Sequence, residues 1–353
     1  MGPQSAGSDP GPACYGWGGK LPTVTDANLV LSRLNTNYFL GGKIPLFPEY
    51  AREAIQKNIA KKMGLSVEEA AWSILRIVNA NMSKGISGVS MQKGYDLREF
   101  TLVPFGGAAA NHAVDIATDL GISKIIVPLL CGNFSAVGLA VADIQHDYVK
   151  TIAKRQSDIQ PEELCDIFKK LEEEGIQQLK GENVEEKNMD IEWSADLRYE
   201  GQSWELNTPI KRSPVWGDDQ FRDLISDFHS LHQKVYSYSE PREGIEFINL
   251  RVKAIGKNPA LRFPQFPINP IPPSKALKES RPVYFKDIGF IEIPIYERDP
   301  LGCGTKIPGP CLIEESISTT LIPEGWIGEI DGYKNIVMTP NSKFGVRSSE
   351  FGD

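Results

Sequence analysis

One octapeptide, Phe105-Gly106-Gly107-Ala108-Ala109-Ala110-Asn111-His112, carries residue types suited to holding a charged ligand. It follows a short apolar run, FTLVP, and precedes an amphipathic one, AVDIATDL. That order predicts strand, tight turn and helix. A turn without bulky side chains lets backbone N–H groups approach a ligand, and the helix N-terminus behind it adds a partial positive charge suited to a phosphate. A plain turn has the same spacing, so the motif alone leaves both readings open. His112, in the first helical turn, either bonds a backbone carbonyl or touches the ligand. Asp115 and Asp119 stand one turn apart on the same helix. Asp26, just ahead of LVLSRL, either caps a helix running through Leu34 or faces a ligand.

Other candidate groups lead to less. His229 and His232 are three apart, but His232 alone falls on the apolar stripe of its helix; two ligands without a third do not make a metal site, and no metal centre is expected. His146 and Asp147 belong to a solvated strand end. The chain has no GxSxG elbow, no GxxxxGK[ST] loop and no HExxH, and no catalytic residue is assigned. Its five cysteines (Cys14, Cys131, Cys165, Cys303 and Cys311) are scattered, with no CxxC among them. They suggest neither a zinc ribbon nor a disulfide framework, so a reduced, cytoplasmic protein is expected. With 38 basic against 46 acidic residues, a net charge of −8 argues against nucleic acid or an anionic membrane as partner. No apolar run reaches the roughly 18–20 residues that span a bilayer, and MGPQSAGSDPGPACYG lacks the basic flank and apolar stretch of a secretory signal.

The elements that must position these residues follow from periodicity. Residues 1–22 are rich in Gly and Pro and read as loop. Ala51, Ile55, Ile59 and Met63 mark one helical face that Gly64 stops; Ser66 to Glu69 is a capping box opening a second helix, which Gly85 and Gly88 end. KIIVP (124–128) reads as a buried strand, and 132–144 as a helix whose small residues imply close packing. Together these give a layered α/β domain over residues 1–155. The remainder, 156–353, reads as a strand-rich α+β domain. It opens with a charged helix from Pro161 and continues with alternating strands at 191–199 and 248–254 that flank a helix from Phe221. A proline-rich connector then covers 259–273, and short strands follow from Arg281.

Several stretches together resemble one family, the hydantoinase A/5-oxoprolinase group, which includes the nucleotide-binding subunits of acetone and acetophenone carboxylases. GPQSAGSDPGPACYG with PTVTDANLVLSRL is similar to its mid-chain signature, and FGGAAANHAVDIATDLGI to its Gly-Gly-Ala turn and following helix. NFSAVGLAVADIQHDYV, DLRYEGQSWEL and GPCLIEESISTTLIPEGW are similar to later blocks, so the matches run in order from Gly2 to about Trp326. The resemblance implies an actin/sugar-kinase/Hsp70-like fold with ATP and Mg²⁺ in a cleft between two α/β domains. Gly106, Gly107 and Ala108 would lie on the adenosine side, Asn111 and His112 beside it, and Asp26 and Asn28 could line the cleft. It implies phosphorylation and ring opening of a cyclic amide (a hydantoin or lactam) with a B-type subunit as partner. Ketone carboxylation and a non-catalytic assembly role are the alternatives. The family's acidic DxGGT-like loop and second glycine-rich phosphate loop are not in this sequence, so the chain resembles the carboxy-terminal portion of such an enzyme, either truncated or encoded separately, whose phosphate contacts come from an N-terminal domain absent from this chain. Ala109-Ala110 also replace the family's Gly-Pro after Gly-Gly-Ala.

Overall fold

A computed structural model describes residues 5–91 and 94–341; Gly2, Pro3 and Gln4, which begin the GPQSAG block, lie outside them. Thr23 opens α1 (Val24–Val30) with a reciprocal cap. Its hydroxyl accepts from the Asp26 amide at 3.2 Å, and the Asp26 carboxylate accepts from the Thr23 amide at 2.8 Å. Asp26 thus lies inside the first turn, and the helix stops at Val30 rather than Leu34. Helix α2 (Pro48–Ile55) passes through a π turn, Gln56–Ala60, into α3 (Lys61–Met63), which Gly64 ends in the left-handed conformation at φ 68°. The Ser66–Glu69 cap forms as its spacing predicts, with amide bonds of 2.8 and 3.1 Å. Helix α4 (Val67–Met91) then runs on past Gly85 and Gly88, where an end is expected, because neither glycine takes a positive φ. Ala27, Leu31, Ala51, Ile55, Ala71 and Leu75 form the core of this helical layer.

Next come β1 (Thr101–Leu102), the Gly106-Gly107 bend, α5 (Ala109–Leu120) and β2 (Lys124–Val127), in the order read from the sequence. The small residues of α6 (Phe134–Val141) imply close packing, yet none of its residues is buried. Small side chains permit a close approach but do not supply a neighbour. The chain then forms β3 (Ile144–Arg155), α7 (Pro161–Gly181), β4 (Met189–Tyr199), β5 (Leu206–Ile210), α8 (Asp218–Tyr236) and β6 (Ile245–Gly256). These strands make an antiparallel sheet in the order β3-β6-β4-β5. Trp193, Leu197, Phe247 and Leu250 from its buried face share one core with Phe168 of α7 and Phe228 of α8. The two-residue alternation of β4 and β6 is what a sheet with one covered face requires.

The last strands are β7 (Leu277–Phe285), β8 (Gly289–Glu297), β9 (Lys306–Pro308), β10 (Cys311–Glu314), β11 (Thr319–Ile322), β12 (Trp326–Ile330) and β13 (Ile336–Pro340). They build two sheets. One has the order β1-β2-β13-β12-β9, with β1 and β2 parallel and β13 antiparallel to β2; the other has the order β11-β10-β8-β7, with β8 and β10 parallel. The described residues are therefore mixed α/β, with three sheets in two compact units. These units are defined by packing and not by one cut along the chain. The first joins the described residues up to Gly138 to those from Arg262 onward, and the second is Leu139–Leu261. The reason lies in strand pairing: Ile336 sits opposite Val127 and Met338 opposite Ile125, so the late strands complete the early sheet and share its core. Residues 259–272 form neither helix nor strand, in keeping with their prolines.

Candidate functional site

The bend is shaped by backbone geometry. Gly106 has φ +98°, a conformation that favours glycine, and its amide donates to the Cys131 carbonyl at 2.8 Å. A Cβ on Gly107 would stand 3.1 Å from the Ile317 carbonyl, so this glycine lets the loop after β10 come close. Ala108 is the N-cap of α5 and offers no side-chain cap. Gly107 and Ala108 remain exposed.

Behind the bend lies a one-way hydrogen-bond relay. Asn28 Nδ2 donates to the Val24 carbonyl at 3.2 Å, and a carbonyl only accepts, so the other face of the Asn28 amide is its oxygen. Asn111 Nδ2 donates to that oxygen at 3.4 Å. Asn28 Nδ2 also lies 3.3 Å from His112 Nε2, which therefore accepts, while His112 Nδ1–H donates to Asn79 Oδ1 at 2.8 Å. Asn79 Nδ2 ends the series on Asp115 Oδ2 at 3.0 Å. Burial, followed by the charge of Arg33, lowers the His112 imidazole to about 4, which keeps it neutral as the relay requires. His112 is thus a supporting residue beneath the surface, 3% exposed. It bonds neither a backbone carbonyl nor the open side of the bend.

Asn28, Gly107, Ala108 and Asn111 line one cavity of about 270 Å³ within the first unit. Its apolar lining includes Tyr15, Val24, Leu34, Phe39 and Ile317, and Glu314, Glu315, Ser316 and Ser318 line it as well. Asp26 is not among the lining residues. It is fully buried, and its carboxylate accepts from Ala13 N at 3.3 Å, Cys14 N at 2.8 Å and both the amide and hydroxyl of Thr23 at 2.8 Å. Its valences are spent on holding the loop to α1. Gly106 and His112 also stand outside the lining.

The acid wall is not evident in any short motif. Glu314, 1% exposed, accepts from Lys278 Nζ and from Arg281 Nη2 at 2.9 Å each, and from Asn35 Nδ2 at 3.3 Å. Burial, the largest single effect, lowers the Lys278 ammonium pKa, but its bond to Glu314 together with the charges of Glu314 and Glu297 raises it overall. The same ammonium lies 3.1 Å from the centre of the Tyr38 ring, a further cavity residue. Arg298 pairs with Glu315 while donating to the carbonyls of Val127 at 3.1 Å and Lys334 at 3.0 Å. The only sign of this wall in the sequence is the pair Glu314-Glu315 ending an apolar strand.

Elsewhere the side chains are structural. His229 Nδ1 bonds the Tyr199 hydroxyl at 2.7 Å, and His232 Nδ1 donates to the Tyr238 carbonyl at 2.8 Å, so the pair has separate partners. His146 meets Glu182 at 2.8 Å rather than Asp147. Among the described residues, no three His, Cys, Asp or Glu gather as a metal site, and no helix is long and apolar enough to cross a membrane. A wider, shallow depression of about 970 Å³ along α7 is edged by Lys170, Glu173 and Glu174, which are all exposed. The smaller cavity has buried polar atoms in its wall, so it is the better binding candidate.

The family model for hydantoinase/oxoprolinase matches residues 1–148, and that for the hydantoinase/oxoprolinase C-terminal domain matches 152–339. The chain belongs to the hydantoinase/oxoprolinase family. Within this family it is 41% identical over 334 residues to an uncharacterized protein of Methanocaldococcus jannaschii, covering 94% of this chain and 47% of that one. It is 35% identical over 347 residues to the caprolactamase subunit alpha of Pseudomonas jessenii, covering 96% and 49%. The crystal structure of ATP-dependent caprolactamase from that organism matches with a TM-score of 0.73 and 34% identity, over 96% of this chain and 50% of that one. A nucleotide-free acetone carboxylase shares the fold, with a TM-score of 0.81 at 24% identity over 96% of this chain and 49% of that one. This family member therefore spans about half the length of these relatives.

Proposed function

We propose that this chain is one part of an ATP-dependent hydrolase that activates and opens a cyclic amide, a hydantoin or lactam. One observation carries the reading: Asn28, distant in sequence from Gly107, Ala108 and Asn111, lines a single cavity with them beside the open bend. Family membership and the 35% identity to a caprolactamase subunit give that cavity its chemical context. The bend would form the adenosine wall of an actin/sugar-kinase/Hsp70-like cleft, in a cytoplasmic hetero-oligomer with a hydantoinase B-type subunit and a phosphate-loop domain. The residues fit the ring end of a nucleotide better than its charged end. The walls are largely apolar, and the carboxylates of Glu314 and Glu315, already ion-paired, offer a phosphate no donor. Bound ATP would supply the phosphoryl group that activates the amide oxygen. Mg²⁺ would sit with the phosphates, held by the partner polypeptide. The task of this chain would be to exclude water from the ring, orient it and brace the wall through the relay to Asp115.

Phosphate release would be followed with ATP and, in turn, 5-oxoproline, ε-caprolactam, a hydantoin, and acetone with bicarbonate, in the full-length protein with its partner subunit. Release that depends on a cyclic amide, with ring-opened product, is the expected result. Consumption that needs acetone and bicarbonate would replace the hydrolase with a ketone carboxylase. A stable complex without ATP turnover on any substrate would leave only an assembly role.

A further inference from the structure

We infer that Asn111 is a specificity-determining residue. Its carboxamide oxygen, with the Ser318 hydroxyl, reads the edge of a flat, uncharged ring on which an N–H donor stands beside an acceptor. The two ends of the relay fix the orientation of everything between them. The Val24 carbonyl and the Asp115 carboxylate can only accept, which orients Asn28 and Asn79 and leaves His112 a single compatible tautomer. Asn111 Nδ2 must then donate to Asn28 Oδ1, and the atom left over is Asn111 Oδ1. That oxygen is buried without a partner in a side chain only 3% exposed. Ser318, 5% exposed, likewise has an unpartnered hydroxyl. Both residues line the same cavity.

Native proteins leave few buried polar atoms unpaired, because each costs its desolvation. Two in residues lining one cavity, one a pure acceptor and one able to donate, call for a ligand offering the complementary pair. The occupant is bounded by charge and size as well. Glu314 and Glu315, ion-paired carboxylates, offer an anion no donor, Tyr15 and Phe39 suit a flat apolar face, and about 270 Å³ admits one or two rings rather than a whole triphosphate. Two sources share this edge. A lactam has its cis amide, with N–H beside C=O, and adenine has its exocyclic amine beside a ring nitrogen. The inference rests on the proposed function only for the choice between these sources.

The test is calorimetric titration of the full-length protein with two ligand pairs, ATP against purine riboside triphosphate and 2-piperidone against N-methyl-2-piperidone. Purine riboside lacks the exocyclic amine but keeps the ring nitrogen, and methylation removes the lactam donor. Wild type, Asn111→Ala and Ser318→Ala are compared, with thermal melting as the check on folding. In one pair the first member should bind roughly tenfold or more tightly than the second, and Asn111→Ala should reduce that preference to below about threefold. A preference for ATP assigns the cavity to the base, and one for 2-piperidone assigns it to the substrate. Equal affinities within both pairs, or a preference that survives Asn111→Ala, overturn the inference even if ATP binds and the proposed function stands. Failure to bind ATP removes the nucleotide reading, and the piperidone pair then decides alone; if neither binds, both readings fall. Should Asn111→Ala not fold, Ser318→Ala and the wild-type preferences decide the outcome.

Discussion

Acidification should weaken the first unit through one imidazole. His112 is buried, and desolvation, followed by the Arg33 charge, lowers its pKa from 6.5 to about 4. In the unfolded chain an imidazole titrates near its ordinary value. Between those two pH values the unfolded state binds more protons than the folded state, so stability falls as pH falls through this window and is unaffected above it. The displacement corresponds to about 3 kcal/mol, lost progressively from about pH 6.5 down to about pH 4. Protonation would also place a hydrogen on Nε2, opposite the Asn28 amide group that now donates to it. The assay is denaturant unfolding of wild type and His112→Gln at half-unit pH intervals, with hydrogen exchange of α5 amides reporting the region itself. The variant cannot titrate at this position, so the difference between the two curves isolates His112 from the other histidines. Wild type should lose about 3 kcal/mol more than the variant across the window. Parallel curves, or an NMR titration placing His112 above pH 6, would refute the reasoning.

Two further substitutions probe the cavity wall. Glu314→Gln removes the carboxylate shared by Lys278 and Arg281 and should cost about 2 kcal/mol, somewhat below a fully buried pair because both cations keep some exposure. Denaturation at neutral pH checks it, and a loss below about 0.5 kcal/mol would show that the cations find other partners. Gly132→Ala would bring a Cβ within 2.7 Å of the Ile317 side chain and 2.9 Å of its carbonyl. The overpacking should cost about 1–3 kcal/mol in thermal or chemical unfolding, and an unchanged melting temperature would mean the Ser316–Ser318 turn yields freely.

Local elements were legible because their causes are local. The Ser66–Glu69 cap, the Gly64 stop and the alternation of β4 are set by residues within a few positions of one another. The helical limits that failed were governed from farther away. Gly85 and Gly88 read as stops, but only a left-handed backbone makes a glycine a stop, and both stay helical. Asp26 read as a cap or a ligand, and its use depends on the Ala13 and Cys14 amides reaching it from the preceding loop.

By itself, the sequence determined that a small-residue bend would precede a helix carrying Asn111 and His112, and its ordered blocks indicated the family. It could not show that β13 completes the sheet begun by β1 and β2, nor that Glu314 and Ser318 line one cavity with Asn111. Periodicity records only which face of an element is buried. Which distant element buries it, and which way an amide points as a result, is decided when strands about 200 positions apart take their register and a carbonyl at Val24 fixes the orientation of Asn28.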